Sequence, residues 1–234
     1  MKPHPDDFSE FYSRENITLD IRLIEIGYRY FRPHFRVGTC LELGPATGYM
    51  TRLLVEDFPH VTAVEGAADL LSQIPHFENL TKVHALFEEF TPRTRFNTIM
   101  MNHVLEHIEE PIPLLRRIRD WLADDGVLIL GVPNAKSFHR LAAVRMGLLE
   151  TEYSLNERDR ELGHFRVYDL NQLREDALEA GYAVEAEGGT FLKFLANSQM
   201  ESTMNDSMLE AYHELGLDFV ENCAEVFLAL TTAK

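Results

Sequence analysis

Thr39-Cys40-Leu41-Glu42-Leu43-Gly44-Pro45-Ala46-Thr47-Gly48-Tyr49 is the stretch on which the fold turns. Its apolar run, Thr39 to Leu43, lies between Gly38 and Gly44, the pattern of a short buried strand rather than a helix. Gly44, Ala46 and Gly48 then leave the turn almost bare of side chains. Backbone N–H groups, and the start of a helix expected from Tyr49 to Phe58, can therefore approach a polar ligand closely. Glu65 closes the next expected strand, Val61 to Val64, and stands 21 residues beyond Gly44. A carboxylate there can accept hydrogen bonds from two ribose hydroxyls. Read from the residues alone, the turn is either a plain strand-to-helix turn or a dinucleotide site. The first leaves Glu42 and Glu65 unexplained; the second wants G-x-G-x-x-G, and Tyr49 occupies the sixth position.

Working outward, Ile17, Ile21, Ile24, Tyr28 and Phe31 recur at helical spacing and stop before Pro33. Downstream, the pattern predicts a helix at Ala67 to Ile74, and strands at Lys82 to Leu86 and Phe96 to Met101. Pro111 opens a further helix, with Leu114, Leu115, Ile118, Trp121 and Leu122 as its apolar stripe. Asp124-Asp125-Gly126 is expected to turn the chain into a strand from Val127 to Val132. Such alternation implies an α/β fold: a doubly wound, mostly parallel sheet with helices on both faces. The order breaks at 134–166, a polar insertion that reads as a lid. Asp169 then caps a helix, with Gln172 completing a capping box and Gly181 closing it. Strands are expected from Val184 and from Ala224 to Thr231, flanking a second insertion, 190–222. From Ser198 to Glu225 there is no Lys or Arg, and seven acidic residues read as a solvated helical face. One domain, 1–234, with a helical cap at 1–36, accounts for the whole chain.

Composition narrows the function. With 234 residues and a formal net charge of −16, the chain carries a field that repels polyphosphate, so neither general nucleic-acid binding nor an anionic membrane surface is expected. Two cysteines, Cys40 and Cys223, lie far apart, which argues against a disulfide framework and fits a cytoplasmic setting. No run approaches the roughly 20 apolar residues of a membrane span, and the first residues show no secretory signal.

A second constellation follows the strand at Phe96. Asn102 ends it, and His103, Glu106 and His107, spaced three and four apart, can face one point if they share a helical turn. His164, after the lid, can return to the same cleft. Imidazoles with a carboxylate suit a general base working near neutral pH, or a Zn²⁺, Mn²⁺ or Fe²⁺ ligand set, or simply a mutually orienting polar group.

Taken together, these segments resemble a known family. Glu42-Leu43-Gly44-Pro45-Ala46-Thr47-Gly48 resembles the E/D-x-G-x-G-x-G motif of class I S-adenosylmethionine-dependent methyltransferases, with Ala46 at the middle glycine. Phe96-Asn97-Thr98-Ile99 followed by Val104-Leu105-Glu106-His107 is similar to the "FD-x-I…VLEH" segment of their ubiquinone-biosynthesis-like branch. Val127 to Asn134 and Gly163-His164-Phe165-Arg166-Val167-Tyr168 resemble its later elements. The resemblance implies a Rossmann-like sheet of seven strands with an antiparallel last strand, binding S-adenosyl-L-methionine and releasing S-adenosyl-L-homocysteine. It places Glu42, Gly44, Pro45, Ala46, Thr47 and Gly48 around the methionine moiety, Glu65 and Gly66 at the ribose, and Phe87 and Glu88 beside the adenine. Asn102 and His103 complete that site. It further implies His103, Glu106, His107 and His164 as the catalytic set. A divalent metal stays open there, since relatives use E-x-x-E-H with a later histidine and His103 replaces the first glutamate. The function implied is methyl transfer to an oxygen, or a nitrogen, of a small-molecule or sugar acceptor, with a homodimer left open. The alternatives are a nicotinamide-dependent oxidoreductase or epimerase, an RNA-directed methyltransferase disfavoured by the charge, and a non-catalytic adenosyl-ligand-binding domain.

Overall fold

The computed structural model describes residues 18–201 and 203–233. In chain order these form α1 (Thr18–Phe31), β1 (Thr39–Leu43), α2 (Tyr49–Asp57), β2 (His60–Glu65), α3 (Ala68–Gln73), β3 (Leu80–His84) and β4 (Phe96–Asn102). Then come α4 (Pro111–Arg119), β5 (Leu122–Pro133), α5 (Phe138–Arg145), α6 (Glu157–Glu161), α7 (Leu170–Glu179), β6 (Tyr182–Thr190), α8 (Asn197–Met200), α9 (Asp206–Gly216) and β7 (Glu225–Thr232). Ile17, expected to begin the first helical stripe, lies outside the described residues.

The strands build one seven-stranded sheet in the order β3-β2-β1-β4-β5-β7-β6. Pairings from β3 through to β5 are parallel, and β7 runs antiparallel to both of its neighbours. Sequence order reverses between β1 and β4, and the carboxyl edge at such a switch point is where open α/β sheets bind ligands. Alternation along each strand divides the core between two faces. Leu41, Leu43, Ile99, Met101, Leu128 and Leu130 pack with Leu114, Ile118 and Leu173 of α4 and α7. Cys40, Met100, Val127 and Ile129 pack with Tyr28, Phe31, Met50 and Leu54 of α1 and α2. Fully burying one such leucine is worth about 1.5–3 kcal/mol, so the switch point rests on a rigid floor.

Three local expectations change. Asp124-Asp125-Gly126 does not turn into a strand; it lies within β5, whose register against β4 slips between Phe96↔Leu122 and Thr98↔Val127. The intervening residues bulge, and a Cβ on Gly126 would stand 2.9 Å from the Phe96 carbonyl oxygen. The helix at Pro111 ends at Arg119, because Asp120 and Trp121 donate to the Arg117 and Ile118 carbonyls and tighten the last turn; Trp121 then packs edge-on against Phe90. The 134–166 insertion is not irregular throughout: it carries α5 and α6, and its ends meet where Asn134 bridges Tyr168.

The Asp169 capping box forms as the sequence suggests, with Gln172 N–H donating to Asp169 Oδ1 at 2.8 Å and Asp169 N–H to Gln172 Oε1 at 3.3 Å. In the acidic insertion, Glu210 on α9 pairs with Arg29 of α1 at 2.7 Å. Cys40 and Cys223 are buried free thiols. Among the described residues, no helix is long and apolar enough to cross a membrane.

Candidate active site

At the carboxyl end of β1 the main chain itself forms a cradle. Gly44 and Gly48 have φ of 71° and 86°, and between them Ala46 holds the left-handed value of 48°. A Cβ on Gly44 would come within 2.5 Å of Val104 Cγ2, so this position admits only glycine. Phe87 stands on the same side, with Cζ 3.7 Å from that hypothetical Cβ, while Glu88 is exposed in the adjoining turn. Pro45 closes the loop by accepting the Gly48 N–H at 2.8 Å.

Glu65, at the tip of β2, is 7% exposed and accepts N–H groups from Ala46 (3.1 Å, Oε2) and Ala67 (2.9 Å, Oε1). Burial pushes its pKa up, and these backbone bonds pull part of the way back. Gly66 is buried beside it, its carbonyl 3.0 Å from His84 Nε2. Glu42 takes a different part from the one the resemblance implies. Its buried carboxyl accepts the Thr51 hydroxyl at 2.6 Å and so ties β1 to α2 beneath the loop. Burial pushes it up to about 8, against the pull of Thr51. Thr47 is half-buried in the loop.

Beyond β4 the site is made of side chains. Asn102 sits opposite Gly131 in the register, and a Cβ there would overlap Asn102 Oδ1 at 2.0 Å; that oxygen is buried without a partner. His103 follows with φ of 55°, so it does not share a helical turn with the residues after it; Leu105–His107 is a short 3₁₀ turn. His103 instead spans two carboxylates, Nε2 lying 2.9 Å from Glu225 Oε1 and Nδ1 3.4 Å from Glu106 Oε1. Desolvation would lower its pKa, yet Glu225 and Glu106 outweigh it and hold the imidazole well above its usual range. The two carboxylates thus favour the charged form of His103. Glu225 is fixed in turn by the Thr190 hydroxyl at 3.1 Å.

Glu106, His107 and His164 form the second half of the cluster. Each offers a ligand atom, and these lie within 4.8 Å of one another. Neither oxygen of the fully buried Glu106 makes a well-formed hydrogen bond; its 3.4 Å approach to His103 is an ion-pair contact. Burial alone would raise Glu106, but the three surrounding histidines hold it low. His107 is pushed down to about 4, chiefly by burial, and its ring donates to the Leu162 carbonyl. The His107 and His164 rings meet edge to face with centroids 4.6 Å apart. The sequence brought the four expected residues into one neighbourhood but missed Glu225 and Asp159, whose Oδ1 lies 3.3 Å from His164 Nδ1. Glu225 was visible only as one of seven acids, 122 residues from His103. A cavity of about 400 Å³ lined by Tyr153, Phe165, Arg166 and Asp176 is bordered by none of the cluster.

A Rossmann-like sheet with a bare first loop and an acid at the tip of β2 defines a nucleotide-type ligand site of class I form. Residues 18–187 match the family model of the methyltransferase domain, and the chain belongs to that family, whose members depend on S-adenosylmethionine. A tRNA U34 carboxymethyltransferase from Shewanella sediminis is 34% identical over 100 residues, covering 39% of this chain and 30% of that protein. A malonyl-[acyl-carrier protein] O-methyltransferase from Halalkalibacterium halodurans is 22% identical over 132 residues, covering 50% and 49%. The chain therefore matches less than half the length of these curated relatives. Among solved structures, a chain from the complex of the Haloferax volcanii Trm112 methyltransferase activator with a methyltransferase superposes with a TM-score of 0.69 at 12% identity, covering 98% of this chain and 99% of that one. The glycopeptide N-methyltransferase MtfA complexed with S-adenosylmethionine gives 0.58 at 14% identity, covering 89% and 86%.

Proposed function

We propose that this chain transfers a methyl group from S-adenosylmethionine to an oxygen of a small-molecule or sugar acceptor, seated between the Gly44–Gly48 loop and the Glu106–His107–His164 cluster. The observation that carries this reading is the cluster: a buried carboxylate whose oxygens make no well-formed hydrogen bond beside an imidazole whose pKa burial pushes down to about 4, at the carboxyl edge of the sheet. The cofactor fits the other half. Gly44, Ala46 and Gly48 give the loop left-handed turns with little side chain, and Glu65 is already gripped by N–H groups of Ala46 and Ala67 at the distance along the chain that suits a ribose.

When bound, the cofactor supplies a methyl group on a positively charged sulfur. His107 keeps a lone pair at neutral pH, because one ring nitrogen donates to Leu162 and the pKa stays near 4; that lone pair can take the proton of an acceptor hydroxyl. Glu106 lies beside it to stabilise the imidazolium so formed. His103, held between Glu106 and Glu225, orients the edge of the cleft. The lid and cap insertions exclude water from the reacting groups. The net charge of −16 favours a small acceptor over the tRNA named for one relative.

Glu106 also favours a second reading, in which the same three donors hold a divalent cation of the Zn²⁺ or Mn²⁺ type. The decisive experiment is calorimetry with S-adenosylmethionine and S-adenosylhomocysteine on wild type and Glu65→Ala, with NAD as control. Binding of the adenosyl pair that collapses in the variant supports the assignment. Binding of NAD alone returns the oxidoreductase alternative. An acceptor screen with and without chelator then separates base catalysis, which is indifferent to chelation, from a metal-dependent site.

A further inference from the structure

The lid carries more than a cover. Asp159, in the five-residue α6, sits 7% exposed among three partners, Asn156, Arg140 and His164. Its Oδ2 accepts the Asn156 N–H at 2.9 Å and stands 3.1 Å from Arg140 Nη1, so both directions on that oxygen are taken. Arg140 is itself buried and donates to the Glu152 and Ser154 carbonyls, which pins the guanidinium from the far side. Oδ1 is left, and 3.3 Å from it lies His164 Nδ1, a buried ion-pair contact short of good hydrogen-bond geometry, with no hydrogen-bond partner to compete for that nitrogen. The backbone repeats the connection, since His164 N–H donates to the Asp159 carbonyl at 2.9 Å. One residue on, Phe165 N–H donates to the Glu106 carbonyl at 2.8 Å, which joins the lid to the cluster.

We propose that Asp159 is a positioning residue that fixes His164 as its Nδ1–H tautomer, leaving the Nε2 lone pair as the one His164 brings to the site. This rests on the reading of His164 as a working member of that site. The chemistry is restrictive. Asp159 is an anion flanked by a guanidinium and a backbone N–H, and an ionised carboxylate only accepts hydrogen bonds. Whatever faces its remaining oxygen must carry hydrogen, so His164 Nδ1 is protonated and the neutral ring keeps its lone pair on Nε2. Carboxylate–imidazole pairs set both the tautomer and the ring plane in this way wherever a histidine must present one nitrogen to a substrate or metal. The Leu162 carbonyl does the same for His107. Residues 159–162 of the lid therefore aim both imidazoles, and a lid that unfolds releases both.

The test reads the tautomer directly. Long-range ¹H–¹⁵N correlation on the cofactor-free protein at neutral pH, with His164 assigned by its loss in His164→Gln, should show a protonated Nδ1 and an unprotonated Nε2. A protonated Nε2 in wild type overturns the proposal, whether or not the protein transfers methyl groups. In Asp159→Asn the Nδ1–H preference should weaken, and in Glu157→Gln, on the exposed face of the same helix, it should stay. An unchanged His164 spectrum in a folded Asp159→Asn would also overturn it. If that variant fails to fold, the wild-type spectrum alone decides. Where an acceptor is known, kcat should fall roughly 10–100-fold in Asp159→Asn with S-adenosylmethionine affinity unchanged. Failure of the adenosyl ligands to bind would count against the methyltransferase reading and leave the tautomer result standing.

Discussion

The two halves of the cleft are built from different materials. At β1 and β2 the surface is main chain: a loop in left-handed conformations, N–H groups turned onto Glu65, and a Gly44 against which Val104 packs too closely for any side chain. Beyond β4 it is side chain: His103, Glu106 and His107 from the segment that follows the strand, His164 from the 134–166 insertion and Glu225 from the last strand. A backbone site needs contiguous residues and tolerates few substitutions. A side-chain site assembled from three segments can be re-aimed by changing any one of them. On the proposed reading, the first half faces a cofactor that never changes and the second an acceptor that does.

Substitutions should separate the halves. The largest effect is expected from Glu106→Ala, which removes the buried carboxylate from beside two imidazoles: kcat should drop about 10²–10⁴-fold while calorimetry shows unchanged S-adenosylmethionine affinity. A parallel loss of cofactor binding would erase the division between the halves. Glu65→Ala should do the reverse, weakening cofactor binding by roughly 10–100-fold, the scale of a lost hydrogen bond to a charged group, with the cluster's histidine resonances unmoved. Gly44→Ala should lower unfolding free energy by about 1–3 kcal/mol, since it forces a methyl into a left-handed position against Val104; a denaturant midpoint reads it.

The smallest effect concerns Glu42. Its pKa is raised to about 8 in the folded state, so its contribution to stability is full below an unfolded carboxyl pKa of about 4.3 and is lost as pH rises towards 8. Glu42→Gln keeps the acceptor for Thr51 and should flatten that decline, gaining on the order of 1 kcal/mol at neutral pH. A melting temperature followed from pH 5 to 8 in both proteins checks it. A wild-type profile already flat over that range would show that Glu42 is ionised throughout.

Legibility in the sequence follows the same division. The sheet, the switch point and the cradle are written in local patterns: Thr39 to Leu43 alternates between two faces, and Gly44 and Gly48 announce the positive φ values that follow. Glu106, His107 and His164 were found because they lie in or beside recognisable segments. His103 was found, and its expected neighbour Glu106 does face it, but without the helical turn: a φ of 55° turns the ring so that it also reaches Glu225. Glu225 and Asp159 were hidden because nothing distinguishes one acid among many until the fold brings it to a histidine. Glu42 shows what a motif leaves out: its carboxyl turns under the loop to Thr51, a bond that no spacing announces.

The reversed direction of β7 has a consequence for how this molecule can change. A forward strand delivers the residue after it to the ligand edge; β7, running backwards, delivers the residue before it, and so Glu225 pairs with Pro133 at that edge while Thr232 lies at the opposite end. The segment joining β6 to β7 therefore enters and leaves on the acceptor side without threading the sheet. On the proposed reading, a change of length between β6 and β7 would alter the acceptor side alone, with the Gly44–Gly48 loop three strands away left as it is.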